Sequence, residues 1–364
     1  MSKNLPLDRY HANERTLFIT GVSQLLYSFG IPRDFEKIVF VIIQKSDADR
    51  LGNRPKSHEL QSVIRIAEVL KKKLTITNLQ DYQDMPEITD DDSLVDIRLL
   101  QRNSRAENQK LNQWAVALAP EHLSIFFPNV STIKAANYYT LKKRYEFYKL
   151  YGFKTGISKF YTLTDSPSVH RTKQQIGLDY SKLELALRFL SQEYPGSNKN
   201  LISLFQSIKG LNVLFVFPLP KDYGGNAIVN QSLFKEVRYL TKNFDGKIDL
   251  VVVKNHPSDD AKYSELNSEL FQDSNWLFLE DEHRSIPIEI LAFAAQSFMF
   301  AGVESTAFLG LRKFVSERTS VFTLERYGSH FKDPYLAGVS RYFYKGKVKR
   351  LELHDKVMKC EKND

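Results

Sequence analysis

The chain has 364 residues, a formal net charge of +8 and one cysteine, Cys360. This length favours two domains over one, and a composition 42% hydrophobic and 12% aromatic excludes wholesale disorder. The lone cysteine excludes an internal disulfide and a cysteine-built zinc site, and fits a reducing compartment. The positive balance favours anionic partners, although the same charge also serves plain solubility.

The N-terminal run Met1-Ser2-Lys3-Asn4-Leu5-Pro6 lacks the apolar core of a signal peptide. Thr16–Thr20 is expected as a strand and Gly21–Phe29 as a helix stopped by Gly30. Lys37–Ile43 reads as a continuously apolar strand, covered on both faces. His58–Lys71 carries apolar residues at helical spacing, and Leu74–Thr77 is a third strand. Residues 80–100 are polar and acidic, Arg105–Leu118 is expected as a helix, and Leu123–Phe127 is a fourth strand. Residues 134–175 give no clear pattern, Leu183–Leu190 is helical, and the turn-forming run Tyr194–Asn200 is the best linker candidate.

A second alternation follows. Leu211–Phe217, Ile248–Val253, Trp276–Leu279, Phe298–Val303 and Ser320–Leu324 are strands; Gln231–Lys242 and Pro287–Ala295 are helices. Residues 286–303 form the longest apolar stretch, but Glu289, Gln296 and Ser297 interrupt it, which reads as a buried helix and strand rather than a membrane span. The expectation is a soluble or peripheral α/β protein with two Rossmann-type domains, each a parallel sheet with helices on both faces, facing a central cleft. The domains are placed at residues 1–200 and 201–335, with a basic tail at 336–364.

Two strand ends carry candidate chemistry. Lys254-Asn255-His256-Pro257 follows one apolar strand, and Gly302-Val303-Glu304-Ser305-Thr306 follows another. Ligands of open α/β sheets bind at the carboxyl ends of the strands. His256 beside Lys254 could protonate or bind a leaving phosphate, or simply cap a turn. Ser305 and Thr306 could hold an anion at a helix start or serve as ordinary caps. Glu289 is either a first-turn charge or an acceptor for a ribose diol. Asp90-Asp91-Asp92 with Asp96 could ligate a metal, but it lacks the spacing of a calcium loop and reads better as a solvated face. No zinc pattern, phosphate-binding Gly-Lys loop or Gly-x-Ser-x-Gly elbow is present in the sequence.

The order of these motifs resembles the bacterial lipooligosaccharide sialyltransferases and polysialyltransferases. The matching segments are Phe18–Leu26, Val213–Pro218, His256-Pro257, Pro287–Leu291 and Ser305-Thr306. Similar His-Pro and Ser-Ser/Thr patterns occur in capsule Kdo transferases and teichoic-acid polymerases. The resemblance implies a GT-B fold and a metal-independent, inverting transfer from a CMP-activated sugar, which is a substrate, so that no cofactor is required. It implies His256 as acid or phosphate contact, Ser305 and Thr306 on the phosphate with Lys254 and Pro257 beside them, and Glu289 on the ribose. Its general base is a carboxylate in an acidic-acidic-Gly motif, where this chain reads Phe127-Pro128-Asn129-Val130-Ser131. Asp165 and the 90–92 cluster remain as candidates for that role. Expected partners are a nucleotide-sugar donor and an anionic glycan acceptor, with peripheral contact to an anionic membrane, no nucleic acid, and a cytoplasmic location. The alternatives keep the fold with CMP-Kdo, a UDP-sugar or CDP-glycerol as donor, or make the protein a non-catalytic module that binds anionic glycans.

Overall fold

The structure is a computed structural model, and it describes residues 16–19, 21–31, 35–42, 55–78, 94–96, 124–127, 159–162, 175–219, 226–243, 247–256, 259, 261–266, 275–303, 320–324 and 348–350. Contacts divide the chain into two compact units, Met1–Ala186 and Leu187–Asp364.

Among the described residues unit 1 holds seven strands: β1 (Thr16–Ile19), β2 (Lys37–Ile42), β3 (Lys73–Asn78), β4 (Leu94–Asp96), β5 (Ser124–Phe127), β6 (Lys159–Thr162) and β7 (Gln175–Gly177). Helices α1 (Val22–Ser28) and α2 (Pro55–Val69) follow β1 and β2, and α3 (Tyr180–Glu193) spans the division between units. The strand order is β3-β2-β1-β4-β5-β6-β7, and every pairing is parallel. The first helix ends at Ser28 with Phe29 as its C-cap, and Gly30 follows where space is short. A Cβ at this position would meet the Asp179 carbonyl and the Leu178 Cβ at 3.2 Å, and Asp179 N–H donates to the Gly30 carbonyl at 2.7 Å.

Unit 2 opens with α4 (Lys199–Ile208), then β8 (Asn212–Phe217), α5 (Asn226–Asn243), β9 (Leu250–Lys254), α6 (Tyr263–Leu266), β10 (Trp276–Leu279), a 3-10 turn (Asp281–Ser285), α7 (Ile288–Ala294), β11 (Ser297–Val303), β12 (Ser320–Leu324) and β13 (Val348–Arg350). The run Tyr194–Asn200 is a compact turn rather than an open linker. Tyr194 N–H donates to the Leu190 carbonyl at 2.8 Å and Asn198 N–H to the Pro195 carbonyl at 3.1 Å. The Asn198 side chain then caps α4 through Leu201 N–H at 3.2 Å. Part of the expected basic tail is β13, the edge strand beside β12.

The second sheet runs β10-β9-β8-β11-β12-β13, again all parallel. In both sheets the chain builds outward one way from its first strand and then turns back to build the other way. This is the 3-2-1-4-5-6 order of the doubly wound fold, whose ligand crevice lies beyond the carboxyl ends at the reversal. Here the reversals fall between β1 and β4 and between β8 and β11.

Continuous apolar strands suit this design, since helices cover both faces. Leu214, Val216, Val251, Val253, Met299 and Ala301 point to one face, where Leu233, Phe234 and Val237 of α5 cover them. On the other, Phe215 and Phe300 lie with ring centroids 5.8 Å apart. Phe293 of α7 packs on Phe298 at 5.6 Å, and Arg188 of α3 places its guanidinium over the Phe293 ring at 5.3 Å. No helix among the described residues is long and apolar enough to cross a membrane.

Candidate functional site

Register aligns the strand ends of unit 2. Phe217 pairs with Gly302, Val216 with Val253, and Leu279 with Lys254. The last rungs of β8, β9, β10 and β11 therefore share one edge, and the Lys254-Asn255-His256 run leaves the sheet there. The 3-10 turn and the first turn of α7 follow β10 at that same edge, bringing up Arg284 and Glu289.

Lys254 is 4% exposed. Its ammonium donates to the backbone carbonyls of Asn255, at 3.1 Å, and of Arg284. Burial pulls its pKa down to about 7; Glu289 opposes that shift and Arg284 reinforces it. A lysine that close to neutrality holds its charge only through its surroundings. Glu289, 7% exposed in the first turn of α7, is the opposing carboxylate. The first-turn reading is thus realised, with the added task of steadying a buried cation.

His256 is exposed as a residue, yet the protein around its ring and the nearby Lys254 cation hold its pKa below the usual histidine range, with Asp259 pulling the other way. Burial and Lys254 favour the neutral imidazole.

The loop after His256 is clamped by a buried polar network. Asp259 N–H donates to the His256 carbonyl at 2.8 Å, closing the turn. Arg284 Nη1 donates to the Asp259 carbonyl at 3.0 Å. The Tyr263 hydroxyl reaches Asp259 Oδ2 at 2.8 Å and the Leu219 carbonyl at 3.0 Å. Asn230 of α5 accepts from Leu219 N–H at 2.7 Å and donates to the Leu219 carbonyl at 2.9 Å and to the Tyr263 oxygen at 3.2 Å. Burial and Asp259 push the Tyr263 phenol above its ordinary range. The loops after β8 and β9 are thereby tied to one another and to α5.

The structure brings together Lys254, His256 and Glu289. Asp165, Pro257, Ser305, Thr306 and Asp90-Asp91-Asp92 lie outside the described residues, as does Asn129; of Asp96 only its backbone in β4 is described. Sequence reasoning missed Asn255, Asp259, Tyr263, Asn230 and Arg284. Asn230 and Arg284 carry no distinguishing pattern. Asn255 and Asp259, however, flank the His-Pro pair and could have been found by asking where each polar residue of that loop would turn. Among the described residues no group of three or more His, Cys, Asp or Glu side chains is arranged to hold a metal ion.

The carboxyl edge of unit 1 has a smaller polar set. Val22 N–H, in the turn after β1, donates to Glu59 Oε1 of α2 at 3.0 Å. Gln24 is fully buried; its oxygen accepts from Ser23 Oγ at 3.4 Å, and its nitrogen has no hydrogen-bond partner among the described residues.

No protein family and no curated protein matches the sequence. Among solved structures, the chain is similar to the GT-B domain of a sialyltransferase from Photobacterium damselae, at 10% identity over 92% of this chain and 99% of that one, with a TM-score of 0.47. It is similar to an alpha/beta-galactoside alpha-2,3-sialyltransferase from Photobacterium phosphoreum, at 13% identity over 92% and 97% of the two chains, with a TM-score of 0.44. A UDP-GlcNAc 2-epimerase from Neisseria meningitidis, bound to UDP-GlcNAc, gives 12% identity over 86% of each chain and a TM-score of 0.30.

Proposed function

We propose that the protein is a GT-B-type glycosyltransferase whose unit 2 binds the nucleotide of an activated sugar at the edge around His256. The observation that carries this reading is the convergence of Lys254, Asn255 and His256 with Glu289 at the carboxyl edge of a doubly wound sheet, beside its reversal. Such edges suit nucleotides because loop donors and helix starts face the ligand there.

In the proposed reaction a sialyl group passes from CMP-sialic acid to a hydroxyl of a bacterial surface glycan, lipooligosaccharide or capsule, with inversion at the anomeric carbon. The bond from that carbon to the phosphate oxygen breaks, the acceptor oxygen forms the new bond, and the hydroxyl proton leaves to a base. His256 meets the departing phosphate and supplies it with a proton or a hydrogen bond. Lys254 keeps the local field positive, and Glu289 holds Lys254. Ser305 and Thr306, from the loop after β11, complete the phosphate contacts. No cofactor or metal takes part, and the acceptor's base, for which Asp165 is the sequence candidate, belongs to unit 1.

Two measurements test this. Thermal stabilisation by CMP, CDP and UDP reports which nucleotide binds, since a ligand of the folded state raises the melting temperature. Transfer from CMP-sialic acid by His256→Ala should fall by about 10²–10⁴ from loss of a proton-transfer group. Undiminished transfer by this variant removes His256 from the chemistry.

A further inference from the structure

Asn255 stands between Lys254 and His256 and is 2% exposed. Its amide nitrogen donates to the Ala261 carbonyl at 2.7 Å. That bond fixes which way the amide faces, because the flipped arrangement would set two oxygens against each other. The oxygen Oδ1 on the other arm is buried and accepts no hydrogen bond from any described residue. Among the described residues, Lys254 gives two of its three protons to backbone carbonyls, and the Tyr263 and Asn230 side chains are engaged with Asp259 and Leu219. An acceptor sealed from water with no donor among the described residues calls for a partner.

We propose that Asn255 Oδ1 is a specificity-determining acceptor that receives a neutral N–H or O–H of the nucleoside bound at this edge. The inference rests on the nucleotide reading above and adds to it what part of the nucleotide is read. A phosphate cannot be the partner, since ionised phosphate oxygens only accept hydrogen bonds and would meet the amide oxygen with repulsion. The phosphate belongs on the His256 side of the loop. What remains is the donor-bearing portion of the ligand, an exocyclic base amine or a ribose hydroxyl. A site built to pair with such a group rejects the analogue that lacks it, because its own acceptor is then left buried and unmatched.

Calorimetric titration of the full chain with CMP, UMP and 2′-deoxy-CMP separates the two sources. The wild-type protein should prefer CMP about tenfold, the worth of one good hydrogen bond, over UMP if the cytosine amine is read and over 2′-deoxy-CMP if the ribose hydroxyl is. Asn255→Leu should close that gap while still binding. Asn255→Ala gives the same reading should the leucine variant fail to fold. A purely structural tether would instead make both variants weaken the three nucleotides alike. A wild-type protein that binds all three equally, or a gap that survives in Asn255→Leu or Asn255→Ala, overturns the proposal and leaves the nucleotide site standing. Binding of none of them overturns both.

Discussion

Units 1 and 2 share one strand order, yet their carboxyl edges are furnished differently. Unit 2 buries Lys254, Asn255, Asp259, Arg284 and Glu289 around one strand end. In unit 1 the described residues at that edge supply a half-buried Glu59 and a buried Gln24. The cavity among the described residues of unit 1 does not mark that edge. This void, of about 180 Å³, is lined by Leu17, Phe35, Ile38 and Leu70, with Lys72 and Lys182 among its walls. Leu17 and Ile38 are near the starts of their strands, so this void opens at the amino edge. Topology sets where a ligand can go, and buried charge shows which unit has been equipped for it.

The sharpest way to break the contrast is to remove the carboxylate of unit 2. Glu289→Ala leaves the Lys254 ammonium buried without its counter-charge, and breaking such a pair costs about 3 kcal/mol. The cost should depend on pH with a defined sign. Glu289 favours protonated Lys254, whose pKa is about 7. The deficit of the variant is therefore greatest below pH 7 and shrinks as pH rises through that value. The wild-type protein itself should gain stability from about pH 7 toward 10.5, because over that span the unfolded lysine still holds a proton that the folded one has released. Urea denaturation of both proteins at pH 6, 7.5 and 9 reads the two trends, and a deficit that grows with pH would show that Glu289 does not act through Lys254.

Smaller, and aimed at the loop rather than the charge, is Tyr263→Phe. It deletes one hydroxyl and leaves Asp259 Oδ2 without its phenolic donor and Asn230 Nδ2 without the oxygen at 3.2 Å. Orphaning buried polar groups costs about 1–3 kcal/mol. If the network positions His256, its imidazole pKa should also move, since Asp259 is one of the charges acting on it. An NMR titration of His256 checks this; a variant that loses stability with an unchanged histidine titration assigns the network to packing alone.

What the sequence reveals and what it hides follow the same division. Strands β8 to β12 of unit 2 are legible because each is a mostly apolar run closed by polar residues: Trp276–Leu279 and Ser320–Leu324 have the expected bounds, and Leu250–Lys254 differs by a residue or two, whereas the Val-Lys-Arg run of β13 is hidden in the basic tail. β4, β6 and β7 are illegible because three or four residues carry no period, and Leu94–Asp96 lies in an acidic stretch that masks it. Lys254, His256 and Glu289 stand out as charges next to apolar runs. Asn230 does not, since an asparagine in an amphipathic helix reads as solvent-facing until the loop it anchors is seen.

The mildest change sharpens the comparison from the side of unit 1. Glu59→Gln keeps an oxygen that can accept from Val22 N–H and removes the charge from a half-buried site. It should cost about 0.5–1 kcal/mol, the net worth of a charge-assisted over a neutral hydrogen bond at partial exposure. Nucleotide affinity should be unchanged, because the proposed nucleotide edge is in unit 2 and the acceptor hydroxyl is assigned to unit 1. A loss of CMP binding in this variant would carry the nucleotide contact across to Glu59, and the difference between the two edges would then be one of degree rather than of role.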